Sequence, residues 1–421
     1  MVANKDKVGS MDYAESGHAN GSSVLATYFN VVCVTAGVGI LSLPKSVSRA
    51  GWWSIPLLIL TGVLSIFSSL LLIECKYARS DERLDSFPEI GEAAFGKVGR
   101  YVIQTFHYLV LLGSGCLLIL VIGLVGKGLV SDLGGEWDQI YFVLLGGLLI
   151  AIPLCILKKI KEFVWMAIFG FLTTLATLVI ICGLSIYLIP SLPTPVTTPI
   201  KYDQLAPVCA VFALAYAGNM VHPHLEGAMK EPKKWPLALS LGLGTVLVFY
   251  LAMAVTGYAI FGESSKAFLF DNISGKGVDA FNCFARVLII GHVLMAAPLI
   301  LCSFATEAEP LLKITPQHLG ETKATIIRVV FRAAIVFSLT MIAAFLPFPV
   351  ELMSIIGSLF MAINLYFVPV ICHLKLFGIR KRNIIQWVLI AVTIVVALIT
   401  FSYGSYESIG DLVKEIKAKQ N

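Results

Sequence analysis

Residues 24–44 read VLATYFNVVCVTAGVGILSLP, an apolar run that contains residues unfavourable to a helix. The run is long enough to cross a bilayer, since about 20 apolar residues span the ~30 Å hydrocarbon core as a helix. Gly37, Gly39 and Pro44 interrupt it, and glycine and proline cost about 1 and about 3 kcal/mol in a helix interior. Unpaired backbone groups at membrane depth are tolerated only inside protein or beside a watery cavity. The stretch therefore predicts a broken span whose backbone can bind a ligand.

A second apolar run, residues 205–229, is interrupted at a corresponding position. It contains the segment YAGNMVHP at 216–223, with a glycine and a proline inside the predicted span. Gly37 and Gly218 lie 181 residues and five predicted spans apart, so the two spans run in opposite directions across the membrane. Broken helices at corresponding positions of two inverted halves are typical of transporters that bind substrate near the bilayer midplane. The alternative is that these small residues only allow close packing of helices.

The composition and the other apolar runs indicate a membrane protein with about eleven transmembrane helices. Hydrophobic residues make up 57% of the 421-residue chain and charged residues 14%, whereas soluble domains have about 45–50% and about 25%. The predicted fold class is therefore an all-α polytopic membrane protein. The predicted spans are residues 24–44, 54–74, 102–126, 139–157, 163–189, 205–229, 236–261, 280–305, 326–346, 351–374 and 384–403.

The polar remainder divides the chain and predicts its orientation. We predict a polar cytosolic tail over residues 1–22, a transmembrane domain over 23–403 and a C-terminal tail over 404–421. Of the 31 lysines and arginines, 20 lie on the side of the N-terminus, 9 on the opposite side and two inside spans. Because positive residues concentrate in cytosolic loops, the N-terminus is predicted to be cytosolic.

The sequence lacks the patterns of several other protein classes. Its basic residues are scattered and form no patch with aromatic residues, so no nucleic-acid partner is expected. The chain contains no metalloprotease, α/β-hydrolase or P-loop motif in a suitable setting, and its nine cysteines form no CxxC pair. We therefore expect no enzymatic activity, no catalytic residues, no metal and no cofactor.

The segment between the second and third predicted spans is too polar to cross the membrane. Residues 81–100 read DERLDSFPEIGEAAFGKVGR, and Pro88 followed by EIGEAAF favours a short helix. Such a helix can lie along the cytosolic face of the membrane. An ordinary connector is an equally good interpretation.

Four stretches of this chain resemble the amino acid/auxin permease family. They are GVGILSLPKSVSRAGW at 37–52, PEIGEAAFGKVGR at 88–100, AYAGNMVHPHLEGAMKEP at 215–232 and GSLFMAINLYFVPVICHLKLFG at 357–378. The resemblance covers roughly residues 22–403. Within the family, the chain is most similar to vesicular inhibitory amino acid transporters and plant vacuolar amino acid transporters.

The resemblance implies a leucine-transporter-like fold and a substrate site at the two broken spans. The fold would be a five-plus-five inverted repeat with one extra helix, and the breaks would hold the α-carboxylate and α-amine of an amino acid. Interhelical packing is an equally good interpretation for each residue taken alone. The substrate-binding candidates are Thr35, Ala36, Gly37, Val38 and Gly39 in the first span and Tyr216, Ala217, Gly218 and Asn219 in the sixth.

Three ionisable residues inside predicted spans are candidates for proton coupling or gating. Such groups are costly in a membrane and are usually functional. His292 lies near the middle of the eighth span, and imidazole titrates near neutral pH. The alternative is a neutral histidine bonded to a backbone carbonyl. His222 and Glu226 are four residues apart and share a helix face. Glu226 matches a family position and is predicted either to hold an inner gate or to form a structural pair.

Two positions predict that sodium is not the coupling ion. Sodium-coupled relatives carry an Asn four residues before the first Gly of GxG and a Ser or Thr before the eighth-span Pro. This chain has Cys33 and the pair Ala296-Ala297 at these positions. Hard cations prefer oxygen ligands, so the coupling ion is predicted to be the proton.

The sequence thus predicts a secondary active transporter of neutral amino acids, driven by or exchanged with protons. The predicted partners are an amino acid, protons and the lipid bilayer, and the protein is predicted to be monomeric in a vacuolar, lysosomal or other endomembrane. The alternatives are a nutrient sensor that binds amino acids with little net transport, and a channel. Short predicted tails disfavour the sensor, and the absence of a repeated filter motif disfavours the channel.

Overall fold

The structure is a computed structural model that describes residues 21–37, 39–79, 83–156, 164–345, 348–379 and 382–420. Within these residues the regular structure is helical, apart from one isolated β-bridge between Ser22 and Met229. Ten helices are long and apolar enough to cross a membrane, and one bent helix pair brings the number of spans to eleven. The predicted fold class and span count are therefore confirmed.

We number the spans α1 to α11, and α1 and α6 each consist of two half-helices. The helices are α1a (Val24–Thr35), α1b (Gly39–Ala50), α2 (Ser54–Lys76), α3 (within Phe87–Asp132), α4 (Gln139–Ile156), α5 (Val164–Tyr187), α6a (Leu205–Ala215), α6b (His222–Gly227), α7 (Trp235–Phe261), α8 (Asp279–Leu311) and α9 (Glu321–Phe345). In α10 (Pro349–Phe377), residues Ile356–Phe367 form a π-helix. The last span, α11 (Ile384–Lys417), contains a second π-helical segment at Thr400–Gly404. The predicted boundary between the fourth and fifth spans, residues 158–162, lies outside the described residues.

The helix predicted between the second and third spans is present. The helical region Phe87–Asp132 is divided at Gly96, whose φ of 69° and ψ of −161° leave helical geometry. Residues 87–95 form the short helix, and α3 follows from residue 97. Phe87 and Ile90 of the short helix are buried and pack with Leu72 of α2 and Cys372 of α10. The short helix therefore covers the ends of these two spans.

The pattern of helix contacts is that of two halves related by an inverted repeat. α1a packs against α5 and α7, and its counterpart α6a packs against α10 and α2. α2 packs against α10, while α7 packs against α5. α3 packs against α8 and α4 against α9. Each contact thus has a partner five spans away, which is the arrangement expected for a five-plus-five repeat.

The two broken spans lie in the centre of the bundle and the peripheral spans lie outside. The apolar window of the sixth span is 94% buried, whereas those of α4 and α11 are 28% and 22% buried. An apolar helix that remains exposed faces lipid. Central placement removes the unpaired backbone of α1 and α6 from lipid, as membrane depth requires.

Backbone contacts define the two faces of the molecule. On the face that carries the N-terminus, called here the N-terminal face, Ser22 N donates to Ala228 O at 2.8 Å and Lys230 N donates to Ser22 O at 2.9 Å. On the opposite face, Lys201 N donates to Ala50 O at 2.9 Å, and Arg49 pairs with Asp411. Within the predicted tail 404–421, residues 405–420 are helical, so the helix of α11 extends through most of this segment; the domain boundaries themselves remain predictions.

Candidate functional site

The first span is broken where the glycines predict. α1a ends at Thr35, α1b begins at Gly39, and the two half-helices are bent by 47°. Ala36 N still donates to Val32 O at 2.7 Å, which closes the last turn of α1a. Ala36 is buried, and Val38 lies outside the described residues. The break is therefore an interior feature, away from lipid.

The sixth span is broken by a change of helix type. α6a ends at Ala215, a 3₁₀ segment covers Ala217–Val221, and α6b begins at His222. A 3₁₀ segment pairs residue i with i+3, so several i to i+4 bonds of a regular helix are missing here. Tyr216, Gly218 and Asn219 are fully or almost fully buried. Mid-helix 3₁₀ segments often mark functional hinges.

The two breaks face each other and are packed too closely for larger side chains. A Cβ atom at Gly218 would lie 2.1 Å from Thr35 Oγ1, and one at Gly39 would lie 2.8 Å from Ala215 Cβ. Both distances are shorter than any van der Waals contact. Glycine at 39 is therefore required for α1b to meet the end of α6a, and a side chain at 218 would displace the Thr35 hydroxyl. This supports the packing interpretation, and substrate binding by these residues remains a prediction.

Tyr250 of α7 joins the ends of the half-helices α1a and α6a. Its hydroxyl lies 2.6 Å from Thr35 O and 2.6 Å from Ala215 O. In continuous helices these carbonyls would accept from residues 39 and 219, so the breaks leave them free. The buried hydroxyl donates to either carbonyl, and its ring packs on Tyr216 with the ring centroids 5.1 Å apart. Sequence reasoning missed this residue; a tyrosine near the middle of the apolar seventh span was the available signal.

Several buried polar atoms around the breaks have no hydrogen-bond partner within the described parts of the chain. They include Thr35 Oγ1, His222 Nε2 and His292 Nε2. A Cβ built at Gly218 would be 2.1 Å from Thr35 Oγ1 and 3.3 Å from His222 Nε2, and one at Gly37 would be 3.6 Å from His292 Nε2. Because buried polar atoms in proteins are nearly always paired, such a group indicates a position for a polar ligand or water.

The contacts of His292 identify which of its nitrogens is free. Nδ1 lies 3.0 Å from Gly170 O and 2.8 Å from Thr174 Oγ1. The carbonyl only accepts, and Thr174 donates its own proton to the same carbonyl at 2.9 Å. We therefore assign the proton of the neutral ring to Nδ1, which leaves the lone pair of Nε2 facing Gly37. The sequence left two interpretations of His292, a neutral ring bonded to a backbone carbonyl and a proton acceptor. The arrangement allows both, because Nδ1 bonds the carbonyl while Nε2 is available to accept a proton.

The side chains of Tyr216 and Asn219 are directed to neighbouring spans. The Tyr216 hydroxyl would lie 2.8 Å from a Cβ at Gly62 of α2. Asn219 Nδ2 donates to Asn364 O of α10 at 3.1 Å, while Asn219 Oδ1 has no partner within the described ranges. Their direct contact with substrate remains a prediction.

The positions at which sodium-coupled relatives carry oxygen ligands form an apolar cluster in this chain. Cys33 of α1a, Ala167 of α5 and Ala296 of α8 are buried together, with Phe29 packed against them. A cluster of methyl groups and a thiol offers poor ligands to a hard cation.

Glu226 and His222 both attach α6b to α2. Glu226 Oε2 accepts from Lys76 Nζ at 2.6 Å, both side chains are fully buried, and the Tyr77 hydroxyl donates to the same carboxylate. His222 Nδ1 lies 3.1 Å from Ser69 Oγ. The two predicted residues thus share a helix face, but each binds α2 and neither binds the other. Lys76, at the end of an apolar span, was not predicted.

Comparisons with known proteins agree with this architecture. The family model for "Transmembrane amino acid transporter protein" matches residues 20–410, a range that contains both broken spans. "Amino acid transporter AVT1C" of Arabidopsis thaliana is 26% identical over 419 residues, which cover 98% of this chain and 74% of that protein. "Amino acid transporter AVT1I" is 24% identical and covers 94% of this chain and 96% of its own length. "Lysine histidine transporter-like 4" is 25% identical, with 92% and 88% covered. The chain therefore belongs to the family of transmembrane amino acid transporter proteins.

Proposed function

We propose that the chain is a proton-coupled secondary active transporter of neutral amino acids that binds its substrate between the breaks of α1 and α6. One observation carries the proposal. Buried polar atoms of Thr35, His222 and His292, without a partner in the described parts of the chain, surround two facing helix breaks. A zwitterion of matching polarity satisfies such atoms, which are otherwise costly to bury.

The backbone supplies opposite partial charges at the breaks. α1b begins at Gly39 and presents the positive end of a twelve-residue helix, which favours a carboxylate. α1a and α6a end at Thr35 and Ala215, and their negative ends favour an ammonium group. Tyr250 donates its one hydroxyl proton to either terminal carbonyl, so the other carbonyl and the unbonded Thr35 Oγ1 are the proposed acceptors for the ammonium.

The surroundings of the breaks favour a substrate without a charged side chain. The side chains that meet Gly37, Gly39 and Gly218 are those of Thr35, Ala215, His222, Tyr250 and His292. None of these is a carboxylate, lysine or arginine, so a charged substrate side chain would be buried without a partner here. Burying an unpaired charge is strongly unfavourable.

The proton is the proposed coupling ion, and His292 is its proposed carrier. The free Nε2 faces Gly37 at the first break, where a second proton can bind without disturbing the bond of Nδ1 to Gly170 O. Imidazolium next to the substrate carboxylate would then supply the positive charge that sodium supplies in other transporters. The apolar cluster of Cys33 and Ala296 supports this choice of ion.

We also propose that the N-terminal face is cytosolic, that the protein acts as a monomer and that it resides in an endomembrane. The first statement rests on the 20-to-9 distribution of basic residues. It places α6b and its attachment to α2 on the cytosolic side.

A glycine variant tests the binding site. Among the described residues, a Cβ at Gly37 would have only His292 Nε2 within 4 Å, so Gly37→Leu begins in open space and extends into the position proposed for the substrate. Gly183→Leu is the control, because Gly183 is exposed on α5 with nothing within 4 Å. We expect Gly37→Leu to reach the membrane normally and to lose uptake of radiolabelled neutral amino acids, while Gly183→Leu retains it.

Lysine and histidine belong in the substrate panel, since one relative is named for them. Uptake by Gly37→Leu at the wild-type rate would contradict the site. Faster uptake of lysine than of neutral amino acids by the wild type would contradict the proposed substrate class. Binding of amino acids without transport by the wild type would favour the nutrient sensor.

A further inference from the structure

Three titratable side chains from three spans meet near the N-terminal face, outside the paired breaks. Glu307 Oε1 of α8 lies 2.8 Å from His224 Nε2 of α6b and 3.3 Å from His107 Nε2 of α3. The side chain of His107 is fully buried, and that of Glu307 is 5% exposed. Two imidazoles therefore approach one carboxylate oxygen in a site largely removed from solvent.

A cavity of about 300 Å³ adjoins this cluster and connects it to the N-terminal face. His224, Glu307 and Tyr108 lie in its wall, together with the exposed Asp85. Glu307 Oε2, the Tyr108 hydroxyl and His107 Nδ1 lack a hydrogen-bond partner among the residues that the structure describes. The cavity has room for water beside polar atoms that need partners, which gives protons a path to the carboxylate.

The other charged groups near the cluster are already paired. On the segment before α3, Asp85 contacts Arg83 and Lys76, and Glu89 accepts from Asp85 N. Arg100 of α3 is bonded to Glu92. On the neighbouring helices, Lys76 binds Glu226 and Glu309 binds Arg332 and Arg328. The negative charge of Glu307 is therefore balanced by His107 and His224 when one of them carries an additional proton.

The net charge of the three groups decides how many protons they hold. With both imidazoles neutral the cluster carries one negative charge, and with one shared proton it carries none. A buried net charge is costly, so the neutral arrangement is favoured when protons are available. The protons come on and off as a property of the whole cluster, since the groups are in contact.

We propose that Glu307, His107 and His224 form a proton-binding site that opens to the N-terminal face and controls the position of α6b. Proton binding adds one H⁺ from water to an imidazole nitrogen and turns the contact with Glu307 into an ion pair. His224 lies on the short half-helix α6b, whereas His107 and Glu307 lie on α3 and α8, which pack against each other. A bound proton thus holds α6b against these two spans through the ion pair, and release of the proton allows α6b to move away from them.

This inference rests on the transport function proposed above, but proton binding can be measured without transport. We would measure the thermal denaturation midpoint of the purified protein and the rate of amino acid exchange in proteoliposomes from about pH 5 to about pH 8, a range that includes imidazole titration. The variants are Glu307→Gln, which keeps the shape but cannot form the ion pair, and His224→Gln. His318→Gln is the control, because His318 is exposed between α8 and α9.

The wild type should lose thermal stability in one step as the pH rises and the proton leaves. Between about pH 5.5 and about pH 7.5 the protonated fraction of an ordinary imidazole falls about tenfold, and we expect a similar change in exchange rate. Glu307→Gln should abolish the step in thermal stability and reduce the change in exchange rate to the part that His292 contributes, and His318→Gln should retain both. If Glu307→Gln does not fold, His224→Gln must still move the midpoint of the pH step.

Three results would decide against the inference or separate it from the transport function. An unchanged pH step in Glu307→Gln or in His224→Gln would overturn it. So would a loss of stability that is equal at every pH, since that is what a purely structural contact produces. A pH step that depends on Glu307 in a protein without amino acid transport would support the proton site and contradict the transport function.

Discussion

At the scale of single residues, the Tyr250 hydroxyl replaces helical hydrogen bonds that two separate breaks remove. Its oxygen lies 2.6 Å from the free carbonyls of Thr35 and Ala215, which belong to different half-helices. One side chain thereby fixes the distance between the two breaks and the negative helix ends that surround the proposed substrate. We regard Tyr250 as a positioning residue.

Tyr250→Phe tests this role with a minimal change. The ring and its contact with Tyr216 are retained, but the one hydroxyl proton that the carbonyls of Thr35 and Ala215 share is lost. We expect a loss of stability of about 1–3 kcal/mol and a larger fall in initial uptake rate than in protein amount. Thermal denaturation in detergent and uptake by the same preparation measure the two effects. Tyr141→Phe, on the exposed face of α4, should change stability by less than about 0.5 kcal/mol; equal effects of the two variants would argue against the role.

His292→Gln tests proton coupling at the same scale. Glutamine keeps a polar group near Gly37 but cannot carry the second proton, so binding should persist while the response to a pH gradient weakens. The measurement is uptake with and without an imposed gradient, with His318→Gln as the control. A gradient response equal to that of the wild type would remove His292 from coupling and leave Glu226 and Glu307 as the candidates.

The sequence predicted some of these residues and missed others for a physical reason. Gly37, Gly39 and Gly218 could be identified because glycine inside an apolar run is unfavourable without a special cause. Tyr250 could not, since its two bonds reach across 215 and 35 residues of sequence. A hydroxyl that joins two distant breaks leaves no local pattern.

At the scale of elements, the half-helix α6b is attached to two other spans by two of its ionisable side chains. Glu226 joins it to Lys76 of α2, and His224 joins it to Glu307 of α8. Six residues long, it cannot be stable as an isolated helix, so these contacts decide where it lies. Both interpretations of Glu226, an inner gate and a structural pair, are compatible with this contact.

A double variant separates gating from stability. Glu226→Gln leaves Lys76 charged and buried, and breaking such a pair costs about 3–5 kcal/mol. Lys76→Met combined with Glu226→Gln removes both charges and should recover most of the thermal stability. If the pair is a gate, the double variant should still show altered exchange kinetics at the N-terminal face.

The control is the exposed pair of Glu231 and Lys234, which lies between α6b and α7. Glu231→Gln should lower the free energy of unfolding by less than about 1 kcal/mol. If the stable double variant exchanges amino acids at the wild-type rate, the Lys76–Glu226 pair is a structural contact and not a gate.

The sequence predicted elements better than their ends. The apolar runs located all eleven spans, and Pro88 indicated the short helix before α3. The helix of the eighth predicted span, 280–305, continues to Leu311 and carries Glu307 and Glu309 in this extension. Buried pairing with His107, His224 and two arginines makes these acidic residues compatible with a buried helix, and a hydropathy count cannot anticipate such partners.

At the scale of the whole molecule, the contacts between helices repeat with an offset of five spans. The central α1 and α6 are broken and buried, while α3 with α8 and α4 with α9 form the surrounding contacts. The proposed substrate site lies between the two halves, and the proposed proton site lies between α6b and the surrounding spans. Binding of a proton or of an amino acid can therefore shift the same half-helix, which is how a coupled transporter links its two ligands.

The most direct measurement is uptake of a radiolabelled neutral amino acid into proteoliposomes that contain the purified protein in sodium-free buffer. The account predicts accumulation that depends on an imposed pH gradient, that sodium does not increase and that Gly37→Leu abolishes. A requirement for sodium at fixed pH, or the absence of gradient-driven accumulation of any amino acid, would contradict it.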